Sequence, residues 1–202
     1  MDKKEQSKVS FDKQSQIYDD SAYSSEAHFC YPYVVESICN LSFDTLLDLG
    51  CGTGEVLSII SKKKKGCKLY GLDLSEKMLE KAKKKLSDSD TLLVGDSENM
   101  PFEDEMFDVL TSTESFHHYP NPQKAVKEIY RVLKKDGKLI LCDFWRPFLK
   151  RNFMNLFIRF SKDGDVKIYS EKEIVSMLQN AGFKNISFRI LEKRAYIVQA
   201  TK

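Results

Sequence analysis

Apolar and polar positions change period many times along the chain. Residues 45–49 (TLLDL) form a short apolar run of the kind that a sheet buries on both faces. Residues 55–64 follow with a helical period, and Val56, Ile59 and Ile60 fall on one side. Residues 68–72 are the next strand. Its helix begins at Ser75, a good capping residue, and carries Met78, Leu79, Ala82 and Leu86 on one face. Residues 91–94 and 107–111 are the third and fourth strands. Asn121-Pro122 then opens a helix, a cap residue followed by proline in the first turn, with Val126, Ile129, Tyr130 and Leu133 as its buried stripe. Asp136-Gly137 turns the chain into a fifth strand at 138–142. Strands alternating with helices of this length predict βαβ units and a parallel sheet.

The ending follows a different rule. Ser170-x-x-Glu173 is a capping box, and Gly182 stops the helix that it starts. Segments 184–190 and 194–200 are separated only by Leu191-Glu192-Lys193, a link short enough to allow only antiparallel pairing. Five parallel strands followed by an antiparallel hairpin make a seven-stranded α/β sheet.

Composition narrows the function classes. With 202 residues the chain suits one domain, and 42% hydrophobic and 31% charged residues are ordinary for a globular protein. A net charge of +2 argues against nucleic acid or an anionic membrane as partner. The lysine clusters at 62–65 and 81–85 read as solvated helix ends, where cations suit the dipole. The five cysteines form no C-x-x-C pair and are odd in number, so neither a zinc site nor a disulfide framework is expected, and a reducing cytoplasm fits. No apolar run reaches membrane-span length. Residues 1–10 are polar, unlike a secretory signal, and are expected to be frayed.

The chemistry concentrates in Leu46-Leu47-Asp48-Leu49-Gly50-Cys51-Gly52-Thr53-Gly54-Glu55, where a strand ends in a glycine-rich turn and a helix begins. Glycines there let a ligand lie against bare main chain at the carboxyl end of the strand. The dinucleotide fingerprint is G-x-G-x-x-G, whereas here the glycines fall as G-x-G-x-G and Glu55 takes the sixth position. A carboxylate at that helix start repels a pyrophosphate, which disfavours a dehydrogenase and favours a zwitterionic cofactor without phosphate. Asp48 is placed to face the ligand's ammonium. Asp73, ending the second strand, is placed to accept from both ribose hydroxyls, since Ser75 is the better helix cap. Asp96, ending the third strand, is placed to accept from an adenine amino group.

These segments, together with GLDLSEKML and the stretch from Gly95 to Asp143, resemble the successive motifs of class I S-adenosylmethionine-dependent methyltransferases. The match is closest to the small-molecule branch that includes ubiquinone and menaquinone biosynthesis enzymes. Phe11-Asp12-Lys13-Gln14 and Tyr18-Asp19 resemble that branch's N-terminal helix, which folds over the cofactor. The resemblance implies a Rossmann-like, doubly wound, mostly parallel sheet in a single domain over 1–202, with an N-terminal helical cap at 1–44. It implies S-adenosyl-L-methionine as cofactor: Gly50, Cys51 and Gly52 along its methionine part, Asp73 at the ribose, Leu74 and Met78 near the adenine, Asp96 and Ser97 at the adenine edge, Thr113 offering backbone to the amino group, and Tyr18 closing the pocket. Met78 equally fits a core stripe, and Cys51 is read as a small turn residue rather than a catalytic thiol.

Transfer from a sulfonium is an in-line displacement, so alignment of a small-molecule acceptor supplies much of the rate, up to about 7–11 kcal/mol. The acceptor is expected above 113–120, where Glu114, His117 and His118 are the ionisable groups. His117 and His118 are the candidate bases, against a purely structural reading. Residues 144–169 are expected to form a substrate lid, with Leu149, Phe153, Leu156, Phe157 and Phe160 at helical intervals, accompanied by Trp145, Arg146, Arg151 and Arg159. Those arginines read either as acceptor contacts or, by preference, as snorkelling side chains on a helix that covers the sheet edge. A non-catalytic S-adenosylmethionine sensor and an RNA or protein methyltransferase are the alternatives. The nucleic-acid alternative is weakened by Thr-Ser-Thr-Glu-Ser-Phe after the fourth strand, where base-methylating enzymes carry (N/D)-P-P-(Y/F). A monomer or a homodimer is expected.

Overall fold

The computed structural model describes residues 2–20 and 25–202, with Arg159 described by its backbone only. Residues 1 and 21–24 of the expected cap, and the Arg159 side chain of the expected lid, lie outside the described residues. Seven strands form one sheet: β1 (Thr45–Leu49), β2 (Lys68–Asp73), β3 (Thr91–Val94), β4 (Phe107–Thr113), β5 (Leu133–Phe144), β6 (Lys184–Leu191) and β7 (Ala195–Thr201). Their order is β3-β2-β1-β4-β5-β7-β6. The first five are parallel, and β7 lies antiparallel between β5 and β6.

Alternate residues of the central strands supply two separate cores. Leu47, Leu110, Leu139 and Leu141 face one side and pack with α5 (Pro122–Val132) and α7 (Glu171–Ala181). Leu46, Val109, Ile140 and Cys142 face the other and pack with α2 (Ser25–Cys39), α3 (Glu55–Lys63) and Leu79 of α4 (Glu76–Ala82). Helices on both faces explain why these strands read as unbroken apolar runs rather than alternating ones. The doubly wound order reverses between β1 and β4, and at such a switch point the loops diverge and leave a crevice.

The capping signals act as their chemistry requires. Ser75 accepts from the Met78 amide, Ser170 and Glu173 form the reciprocal box, and Gly182 takes the left-handed φ of 104° that ends α7. Asn121 precedes Pro122 but makes no side-chain cap; its amide donates instead to Glu98. Strand β5 begins earlier than expected, at Leu133, which pairs with Phe107 before the register shifts around Asp136 (φ 63°) and Gly137. The anticipated turn is thus an interruption inside a longer strand.

The N-terminus corrects the expectation of fraying. Residues 3–14 form α1 (Lys3–Gln14), capped by Asp2, whose carboxylate accepts from the Glu5 amide. Polarity misled because this helix is held by charge rather than by an apolar stripe. Lys4 reaches Asp96 and Glu98, each at 2.8 Å. Asp12 accepts from the Ser75 hydroxyl at 2.6 Å, and Ser7 packs against the backbone at Gly164.

Candidate active site

The loops after β1, β2, β3 and β4 converge on a cavity roofed by α1. Its walls include Tyr18, Asp48, Gly50, Cys51, Gly52, Asp73, Leu74, Met78, Asp96, Ser97, Thr113 and His118, so residues distant in sequence meet at the switch point. His117 does not join them. It lines a second cavity with Phe144, Arg146, Phe153, Phe157 and Asp165.

The glycine-rich turn is built for close approach. Gly50 has φ 74°, and a Cβ there would sit 2.0 Å from the Ser115 hydroxyl oxygen, so only glycine fits. Gly52, at φ 52°, has open space where a Cβ would point, and its amide donates to Asp73 Oδ2 at 2.8 Å. Asp73 Oδ1 accepts from the Ser75 amide at 2.8 Å. The Asp73 carboxylate is thereby fixed in orientation, with further lone pairs open to a diol.

Asp48 differs. It is 2% exposed, and its Oδ1 has no hydrogen-bond partner. Burial, reinforced by the Asp73 charge, pushes its pKa up to about 8. A buried carboxylate without a partner is costly unless a ligand donates to it or brings positive charge. Glu114, held at φ 50° past the end of β4, repeats the pattern: one oxygen accepts from the Cys30 thiol at 3.2 Å and the other is unpartnered. Burial raises Glu114 well above the usual carboxylate range, and Asp73 is also raised by burial. Asp48, Asp73 and Glu114 together suit a ligand with an ammonium and a sulfonium and oppose a pyrophosphate. S-adenosylmethionine therefore fits this donor set.

These contacts assign Glu55 and Asp96 differently from the sequence expectation. Glu55 does not line the cavity; its carboxylate lies 2.9 Å from Lys85 Nζ, which also binds Asp19. Discrimination against pyrophosphate passes to Asp48, Asp73 and Glu114. Asp96 does reach the cavity, but Oδ2 accepts from Lys4 and Oδ1 accepts from the Glu98 amide, so α1 is tied to the third strand's acid. Cys51 is buried, and burial raises its thiol, as suits an unreactive turn residue. Met78 is both buried and cavity-lining.

His117 and His118 separate the two cavities on a 3-10 turn (Phe116–His118). His117 Nδ1 lies 2.6 Å from Asp143 Oδ1, and its amide donates to the other oxygen at 2.9 Å. Although burial opposes it, this carboxylate raises the His117 pKa. Burial, with the His117 charge, pushes His118 down to about 3, so His118 is neutral at physiological pH. Phe11 stands edge-on to His118 at 5.1 Å.

Asp143 and Asp165 were missed by sequence reasoning. Asp143 sits near the end of β5 and continues the strand-end series Asp48, Asp73, Asp96, so the same rule would have found it. Asp165 lies in an irregular loop without any periodic signal. Tyr31 of α2, a cavity wall, was hidden by its helix's ordinary amphipathic pattern.

The lid segment is helical, as α6 (Phe148–Phe157) and a 3-10 turn (Ile158–Phe160), but it does not cover the sheet edge. No α6 residue is buried, and Leu149 is 79% exposed. Arg146 donates to the backbone carbonyls of Trp145 and Arg194, and Arg151 stacks over Phe148.

Known proteins agree with this geometry. A family profile described as a methyltransferase domain matches residues 47–141. A demethylmenaquinone methyltransferase of Thermotoga maritima is 32% identical over 179 residues, covering 78% of this chain and 77% of that protein. A chloroplastic 2-methyl-6-phytyl-1,4-hydroquinone methyltransferase of Arabidopsis thaliana is 33% identical over 75% of this chain, though over only 43% of its own length. Among solved structures, an S-adenosylmethionine-dependent methyltransferase of Thermotoga maritima, described as a possible histamine N-methyltransferase, superposes with a TM-score of 0.74 at 24% identity, over 95% of this chain and 98% of that one. That last likeness speaks for the fold. With the acidic switch-point cavity, these matches place the chain in the class I S-adenosylmethionine-dependent methyltransferases.

Proposed function

We propose that this methyltransferase acts on a hydroxylated aromatic acceptor that carries an apolar tail, a quinol-type molecule. The observation that carries the reading is the second cavity, lined by Phe144, Phe153, Met154, Phe157, Ile158 and Phe160 and reaching His117, the sequence neighbour of His118 in the cofactor cavity. The names of the two relatives, which act on a demethylmenaquinone and a phytyl hydroquinone, support the same class of acceptor.

S-adenosylmethionine supplies a methyl group already activated on a sulfonium. The residues of the chain do the rest. Asp48 takes the ligand's ammonium, Asp73 the ribose diol, and Asp96, Ser97, Leu74 and Met78 border the adenine. Gly50, Cys51 and Gly52 give main chain to the methionine part, and Thr113 its backbone. Phe11 of α1 and Tyr18 just beyond it, held edge to face at 6.1 Å, close the cavity and exclude water. Residues 1–44 serve as the cap and 144–169 as the acceptor lid of a single domain. We place the acceptor's acid–base chemistry at His117, oriented by Asp143, and not at His118, which burial makes a poor base.

Among the described residues no helix is long and apolar enough to cross a membrane. The unpaired state of all five cysteines supports a cytoplasmic location, as a monomer or a homodimer.

The test is a methyl-transfer assay with tailed and tail-less hydroquinones against small amines and carboxylates. Turnover of the tailed quinols above the others is expected. Turnover of an amine or a carboxylate in their place would remove the quinol reading.

A further inference from the structure

The wall between the two cavities holds three potential ligand atoms at separations that hydrogen bonding does not explain. Asp165 Oδ1 lies 3.6 Å from His117 Nε2 and 3.4 Å from His118 Nδ1. Both exceed a good N–H···O bond. His118 Nδ1 is buried and has no hydrogen-bond partner at all. One ligand atom from each of His117, His118 and Asp165 lies within 4.8 Å of the other two. A tetrahedral zinc with bonds of about 2.0–2.2 Å sets neighbouring ligand atoms about 3.4 Å apart.

The surroundings orient the same three atoms. Asp143 engages His117 through Nδ1, which leaves Nε2 as the lone-pair face. The unpartnered Nδ1 of His118 faces Asp165 Oδ1 at 3.4 Å. The Ser161 hydroxyl donates to Asp165 Oδ2, leaving Oδ1 toward the rings. The loop itself is tied to the histidine turn, because the Val166 amide donates to the His117 carbonyl at 2.8 Å. A carboxylate behind a ligating histidine is the usual support of a metal site. Asp143 and Asp165 also bring negative charge to the two rings.

We propose that His117 Nε2, His118 Nδ1 and Asp165 Oδ1 bind a divalent first-row cation, with zinc favoured by the two nitrogens. Three protein ligands leave a position for an oxygen of the acceptor, whose hydroxyl the cation makes more acidic. This rests on the assignment of acceptor chemistry to His117 and specifies its agent: a cation held by that imidazole, rather than the imidazole alone.

The test uses the full chain, stripped with a chelator and titrated with Zn2+ and Co2+ by calorimetry and visible spectroscopy. One equivalent is expected, with the ligand-field bands of tetrahedral or five-coordinate cobalt and no thiolate charge transfer. His118→Ala and Asp165→Asn are expected to weaken it by at least about 10-fold, and Asp143→Asn by about 10–100-fold. Should these variants not fold, Cu2+ bound to the wild type must show couplings to two imidazole nitrogens. Failure to bind, a thiolate band, affinity unchanged in folded His118→Ala and Asp165→Asn, or copper without those couplings overturns the site. S-adenosylmethionine binding and quinol turnover are measured on the same samples. If both persist in the stripped chain while no metal binds, only the cation fails; if quinols are not turned over, the acceptor reading fails separately.

Discussion

Asp48 shows how a single residue couples stability to function. Its folded pKa of about 8 lies above the ordinary 3.8, so the folded state holds the proton more tightly than the unfolded chain. The sign follows: its effect leaves stability highest below pH 3.8 and lowers it progressively as pH rises toward 8. Asp48→Asn removes that loss, and the cofactor-free variant is expected to melt higher than wild type at pH 8, with the gap closing below pH 4. The same variant is expected to bind S-adenosylmethionine more weakly, by about 1.5–3 kcal/mol, because a charged partner for the ammonium is gone. Thermal melts and calorimetry check the two halves. Asp73→Ala is expected to cost about 1–3 kcal/mol of cofactor binding in a folded protein; unchanged affinity would remove the ribose assignment. The acids Asp48, Asp73 and Asp96 were legible because each lies at or within two residues of the end of a strand whose apolar run marks it. Glu55 was misread because side-chain direction at a helix start depends on a partner, Lys85, that lies 30 positions away.

At the scale of elements, helix ends carry their own predictions. The capping box of α7 joins Ser170, Glu173 and Lys167, and these bonds, against the opposing effect of burial, hold Glu173 down at about 2. A depressed acid contributes stability above its unfolded pKa of 4.5 and loses that contribution as pH falls through 2. Ser170→Ala is therefore expected to lower stability by about 1 kcal/mol at neutral pH and by less near pH 2, measured by denaturant melts. Strands, helix starts and the C-terminal hairpin were readable from local rules. The helix α1 was not, because Lys4, Ser7 and Asp12 are polar residues whose partners Asp96, Glu98, Gly164 and Ser75 are supplied by the tertiary fold. The long start of β5 escaped notice for a related reason, since Leu133 joins the sheet across an interruption at Asp136-Gly137.

Across the whole molecule, a rigid two-faced sheet carries two unequal cavities on its carboxyl edge. The cofactor side is acidic, enclosed and formed by loops from four strands. The proposed acceptor side is walled by α6 and the 3-10 turn after it, where Phe148, Leu149, Phe153, Leu156, Phe157 and Phe160 are all exposed. Exposed apolar surface of this extent marks an interaction site. A Phe153→Ala, Phe157→Ala double variant is expected to raise KM for a tailed quinol while leaving a tail-less one unchanged; equal effects on both would contradict a tail-binding lid. The acidic cavity and its glycine-rich floor were visible in the sequence, whereas the placement of His117 and His118 in different cavities was not. Adjacent residues on a 3-10 turn project into different cavities, and only the fold shows which faces which.

The most direct test of the account is a calorimetric titration of the purified chain at pH 7 with S-adenosylmethionine, S-adenosylhomocysteine and NAD, each in two buffers of different ionisation enthalpy. One site is expected for the two adenosyl ligands and none for NAD. S-adenosylmethionine is expected to show a buffer-dependent heat that reports a proton leaving Asp48. Binding of NAD, or no binding of either adenosyl ligand, would contradict it.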